Sequence, residues 1–212
     1  MSPLSFAVVS ARAEPHAAVP TLMLQLRLTA SSPEPVHAVA LRCQIMIEPQ
    51  RRRYDAEEQD RLTELFGDSP RWGDTLRPFL WSNIGITVPG FTEAADVDLP
   101  ITCTYDMEVA AAKYFHALDG GEIPIVLLFS GTVFTKGGAG LSAMPIAWHE
   151  EAHYRLPVAV WRSVIEMYFP NSGWLRLDDD TLRALQQFRA ERALITWDET
   201  IRVLLKHSGE SQ

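Results

Sequence analysis

The sequence predicts an α+β protein: an antiparallel β-sandwich-like body with one inserted helix, followed by C-terminal helices packed on it. Three observations predict this. Apolar residues alternate with period two in the first fifty residues and again in the middle of the chain. A helical period interrupts that pattern once, after Asp55. Beyond Pro157 only helical spacing is found. The expected boundaries are 1–156 for the sandwich-like body and 157–212 for the helical region, the two forming one compact unit.

In "TLMLQLRLT", Leu22, Leu24, Leu26 and Leu28 form one row and Met23, Gln25 and Arg27 the other. In "HAVALRCQIMIEP", Val39, Leu41, Cys43, Ile45 and Ile47 form a second apolar row. Each is a strand with one buried face. The short turn-rich link "ASSPEPVH" predicts that they pair antiparallel. "SFAVVSARAEP" is a weaker strand before them. In "RYDAEEQDRLTELFGD", Asp55 is placed to cap, Leu62, Leu65 and Phe66 share a helical face, and Gly67 stops the helix. Residues 68–95 are too apolar for a free loop, with Trp72, Phe79, Leu80, Trp81 and Ile84, but have no clear period. "VDLPITCTYDM" starts as a strand with Ile101, Cys103, Tyr105 and Met107 on one side. "AAAKYFHAL" fits a helical turn or a continued strand. "IVLLFSGTVFT" is apolar on both faces, as a central strand is, and "KGGAGL" is a hairpin tip. Val158, Trp161, Ile165 and Tyr168 make a helical stripe closed by "PNSG". Leu182, Leu185 and Phe188 mark a second helix. Thr196 with Glu199 makes a capping box for a third.

With 212 residues, 47% of them hydrophobic, the chain can bury a sizeable core. The formal net charge of −8 argues against nucleic-acid binding, which needs clustered cations. Arg51-Arg52-Arg53 is followed by Asp55, Glu57, Glu58 and Asp60 and reads as a neutralised surface patch. No signal peptide or membrane span is visible, so the expected location is the cytoplasm, with Cys43 and Cys103 as buried free thiols.

His149-Glu150-Glu151-Ala152-His153 matches the zinc pattern H-E-x-x-H. That pattern needs a helix of several turns, to bring both imidazoles within about 2.1 Å of one ion. Here Pro145 and Pro157 flank the stretch. Its even positions (Ile146, Trp148, Glu150, Ala152, Tyr154, Leu156) are apolar but for Glu150, and its odd positions are polar but for Ala147. That is a strand pattern, and four extended residues span about 13 Å. A solvated strand face is therefore expected. His149, Glu150 and His153 are the only nameable set for a metal-dependent hydrolase. Residues 137–140, "GGAG", lack the residues of a phosphate loop, and "FSGT" is not a nucleophile elbow. Asp178, Asp179 and Asp180 fit the positive end of a helix dipole. His37 and His116 read as ordinary polar residues. No catalytic residue and no cofactor is expected. Most of the six tryptophans should be core; Trp72, Trp81 and Trp174 are the candidates for a protein-partner surface.

The phrases "ALRCQIMIEPQRRRY", "LFGDSPRWGDTLRPFLW", "KYFHALDGGEIPIVLLFSGTVF" and "YRLPVAVWRSVIEMYFPNSGWLRL" resemble an uncharacterised, chiefly actinobacterial family of unknown function, over residues 5–205. The resemblance implies genes beside those of nickel-iron hydrogenases, hence an accessory or assembly role, with no catalytic residues to carry over. The strand-then-helix order ending in "LPVAVWRSVIEMYFPNSGWLRL" is also similar to SecB-type export chaperones. The expected function is a non-catalytic binding or accessory protein with a protein partner. A metal-dependent hydrolase and a SecB-like chaperone are the alternatives.

Overall fold

The computed structural model describes residues 3–103, 109–137, 140–172 and 176–209. The chain forms two units, 1–174 and 175–212.

The first unit is built on two antiparallel sheets that enclose one core. The three-stranded sheet has the order β1 (Leu4–Ala13), β2 (Thr21–Ala30), β5 (Ala94–Thr102). The five-stranded sheet has the order β4 (Phe79–Phe91), β3 (Val36–Ile47), β6 (Glu122–Gly137). On its far side β6 pairs first with β8 (Glu151–Pro157) and then, beyond a turn, with β7 (Gly140–Pro145).

The two alternating stretches therefore do not pair with each other. β2 lies between β1 and β5, and β3 lies between β4 and β6. The physical reason is that each has a single apolar row. Leu22, Leu24, Leu26 and Leu28 from one sheet, and Val39, Leu41, Cys43, Ile45 and Ile47 from the other, are all buried in the same core. Placing the rows face to face removes both from water, at about 1.5–3 kcal/mol for each fully buried large side chain. The rings of Phe6 on β1 and Phe129 on β6 stack across the core with centroids 4.1 Å apart.

β6 is the central strand that its two-sided apolar run predicts. Gly131 gives it a close approach to β3. At φ 138°, a Cβ there would lie 2.0 Å from the Ala40 carbonyl oxygen, so only glycine fits. Residues 68–95, which had no clear period, form a 3₁₀ turn, the four-residue α2 (Trp72–Thr75) and β4.

Helix α1 (Ala56–Phe66) starts where expected: the Asp55 carboxylate accepts the Glu58 N–H at 2.9 Å. Glu58 is itself buried. Its Oε1 accepts from the Arg52 guanidinium and from the Asp119 N–H at 2.9 Å. The arginine triplet is thus split: Arg52 anchors α1 to the body while Arg53 stays exposed. The stretch "AAAKYFHAL" is helical over α3 (Ala110–Ala117). Tyr114 from α3 and Tyr54 share a hydroxyl contact of 2.7 Å. Burial pushes the Tyr114 phenol up to about 12, and that of Tyr54 up as well. Tyr105 and Met107 lie outside the described residues.

Helix α4 (Val158–Tyr168) begins directly after Pro157 and packs Val158, Trp161 and Val164 against β1, β2 and β8. It belongs to the first unit. Cys43 and Cys103 are free and buried, and burial pushes both thiols up to about 12.

The second unit is a pair of helices, α5 (Asp179–Glu191) and α6 (Trp197–Gly209). Thr196 caps α6, its hydroxyl accepting the Glu199 N–H at 3.1 Å while Glu199 accepts the Ile195 N–H at 3.1 Å. Asp179 and Asp180 sit in the first turn of α5 and pair with Arg183. Arg189 lies 4.7 Å over the Trp197 ring.

Candidate partner-binding surface

The zinc-like stretch divides into two conformations. From Glu151 onward it is strand β8; residues 146–150 turn, closed by the Glu150 N–H on the Ala147 carbonyl at 3.1 Å. No helix forms here, and the two imidazoles keep different company. His149 Nε2 lies 3.7 Å from Glu150 in the turn. His153 lies on β8, with Nδ1 3.3 Å from Glu48 and Nε2 3.2 Å from Glu151. Arg51 completes that cluster, 3.1 Å from Glu48 through Nε. Among the described residues no group of three or more His, Cys, Asp and Glu is arranged to hold a metal.

The turn also reverses one expectation. Trp148 falls in the apolar row of the alternation but is 92% exposed. Its neighbours on that row, Ile146 and Ala152, are buried. The alternation breaks because the chain leaves β7, places Ile146 N–H on the Gly131 carbonyl, and turns before β8 begins. Trp148 sits at the apex of that turn, and among the described residues only His149 is in ring contact with it, at 5.6 Å.

The strand leading into this turn is the least protected part of the sandwich. β7 reads Gly-Leu-Ser-Ala-Met-Pro and all six residues are exposed. Its register sets Leu141, Ala143 and Pro145 opposite Lys136, Phe134 and Thr132. Ser142 and Met144 stand opposite the buried Thr135 and Val133, yet they are exposed too, so β7 overhangs the core. Leu141 is 65% exposed and Met144 36%. One edge of β7 bonds to β6; on the other, no strand pairs with it among the described residues. Its edge therefore presents backbone donors and acceptors, interrupted by one proline, on a segment with no charge.

The tryptophans singled out in the sequence stand elsewhere. Trp72 is half-buried, edge-on to Tyr54 at 5.3 Å and to Phe66 at 6.2 Å, and its Nε1 donates to the Gly67 carbonyl at 2.8 Å. Trp81 is half-buried with its ring 5.0 Å from that of Phe115. Trp174 lies outside the described residues. His37 is exposed. His116 is half-buried, edge-on to Trp161 at 4.8 Å, beside a 430 Å³ cleft that Arg162, Ser163 and Glu166 also line. Burial, then Arg162, holds its imidazole below the usual range.

No helix among the described residues is long and apolar enough to cross a membrane. No curated protein is significantly similar to the chain. Among solved structures, a late embryogenesis abundant (LEA) protein matches with a TM-score of 0.31 at 8% identity, over 73% of this chain and 71% of that one. A β-glucosidase from Kluyveromyces marxianus matches at 0.28 and 5% identity, over 73% of this chain and 15% of that one. The ApaA protein from Bordetella pertussis matches at 0.22 and 15% identity, over 74% and 95%. Likenesses this remote carry no argument about function. The sequence itself does match a family across its whole length: residues 1–212 fit the model of DUF6084, and the chain belongs to that family of unknown function.

Proposed function

We propose that this chain is a non-catalytic binding or accessory protein that takes up a protein partner along β7 and Trp148. The observation that carries the reading is the uncharged edge strand, every residue of it exposed, followed three residues on by a tryptophan that is 92% exposed. An extended segment added beside β7 satisfies its free backbone groups. Leu141, Met144 and Trp148 supply apolar contact at one end of the sheet. The half-exposed Trp72 and Trp81, and Trp174, are secondary candidates for partner contact.

The family resemblance extends the reading to a role in assembling a redox enzyme such as a nickel-iron hydrogenase, in the cytoplasm. The test is capture from the native host with tagged wild type and with a Leu141→Lys/Met144→Lys variant, the captured proteins being identified. Wild type is expected to retain one defined partner that the variant loses. Equal capture by both places the interface elsewhere. A range of unfolded clients in place of one folded partner favours a SecB-like holder. Stoichiometric zinc in purified protein, lost with an activity in a His149→Ala variant, favours the hydrolase.

A further inference from the structure

The outer faces of the two sheets treat their arginines differently. On the three-stranded sheet, Arg27 stands directly across from Asp96 and holds it through two bonds of 2.7 Å. Arg12 holds Asp98 through bonds of 2.9 and 2.7 Å. On the five-stranded sheet, Arg42 occupies the middle of the outer face, and its cross-strand neighbours are Gly85 on β4 and Ser130 on β6. Neither carries a charge to balance it. Arg42 makes no ion pair or side-chain hydrogen bond among the described residues, in a chain whose acids outnumber its bases by eight.

Gly85 is the second part of the argument. Its backbone is not in the left-handed region, and a Cβ built there meets nothing within 4 Å. Neither conformation nor packing asks for glycine, and glycine weakens a strand interior. Its effect is to leave open the floor on both sides of Arg42. Two adjoining grooves of 630 and 440 Å³ result, sharing Arg42, Gly85 and Ser130. Their other polar walls are Thr87 and Thr132 in one and Gln44 and Asn83 in the other. None of these hydroxyls and amides bonds within the described part of the protein.

We propose that this face is a binding site for a small polyhydroxylated carboxylate. The guanidinium fork matches a carboxylate in two parallel bonds, and the flanking hydroxyls and amides match hydroxyl groups on either side of it. Both grooves are open to solvent, with Arg42, Asn83, Gly85, Thr87 and Ser130 all exposed, so a ligand would lie on the sheet face and not inside it. The site adjoins β7, whose Pro145 stands opposite Thr132, but no residue of β7 lines it.

The test is a titration of the ¹⁵N-labelled full chain with D-gluconate, sorbitol and acetate, following the amides of Arg42, Gly85 and Ser130 and the Arg42 Nε–H. Gluconate is expected to give saturable shifts at all three residues. Acetate, which has the charge without the hydroxyls, should bind about tenfold more weakly, and sorbitol should not saturate. Arg42→Ala and Gly85→Val should each weaken gluconate binding by about tenfold or more. Gly85→Val adds its side chain to open space in a strand-favouring residue, so its melting temperature should hold or rise. No saturable shift with gluconate, equal affinity for acetate or sorbitol, or unchanged gluconate binding in either variant overturns the proposal.

Discussion

β7 and β8 are both edge strands, and both pair with β6, but they are built for opposite ends. β8 buries Ala152 and Leu156 and lies against β1 and α4. Its exposed side carries Glu151, His153 and Arg155; His153 meets Glu48, Arg51 and Glu151, and Arg155 meets Glu122. Charges on an edge and cover from a neighbouring layer are the usual means of blocking further pairing. β7 has neither. Two halves of one strand thus receive a closed partner and an open one, and the open one is the proposed place for a foreign chain.

The largest effect expected of a single change separates the two edges by stability. Leu156→Ala should cost about 2–5 kcal/mol in a urea melt, because a fully buried side chain is lost and the gap between β8, β6 and α4 cannot close completely. The matching Leu141→Ala on β7 should stay within about 0.5 kcal/mol of wild type, since the side chain is mostly in water. A large loss at Leu141 would mean that β7 is packed rather than overhanging.

Next in size is the loss of Glu48. This buried carboxylate holds Arg51 and His153 at the start of the β8 side. Glu48→Ala should cost about 1–3 kcal/mol by the same melt. No equivalent variant exists on β7, where there is no charge to lose.

Acid should sharpen the contrast more gently. His116 packs on Trp161 of α4, the helix that follows β8 and packs on β1, β2 and β8. Burial, then Arg162, lowers its folded-state pKa, so the unfolded chain takes up the proton first. Stability is then present above the ordinary imidazole value of about 6.5 and falls as pH drops through it toward the folded value. Melting temperatures measured across that range should decline with acid, and His116→Gln, which cannot take the proton, should remove part of the decline.

The smallest effect concerns the thiols. Cys43 and Cys103, pushed up to about 12 by burial, should resist iodoacetamide near neutral pH until the protein is unfolded. Labelling of the folded protein would show that the core opens locally.

What the sequence made legible was whatever carries a period. Leu22 to Leu28, Val39 to Ile47, the Asp55 cap and the Thr196 cap all have local signals, and the structure realises each of them, though Glu199 reaches the Ile195 N–H and not that of Thr196. Pairing partners have no local signal, which is why β2 and β3 looked like a hairpin and lie in opposite sheets. β7 was hidden for a different reason. With every residue exposed, "GLSAMP" has no buried row to alternate with an exposed one, and only the length of β6 gives it a place to pair. Its usable clue was negative, an uncharged run between Lys136 and His149. Trp148 was masked by falling in phase with Ile146 and Ala152 across a turn that breaks the phase. Arg42 and Gly85 could not be connected without the register.

The most direct measurement is hydrogen exchange of the full chain, alone and with its captured partner. Segment 140–148 should exchange quickly in the free protein and become protected in the complex, while 151–157 should be protected in both. Protection of 151–157 or of the helices on binding, with 140–148 left as fast as before, would contradict the assignment of β7 and Trp148 as the surface that meets a partner.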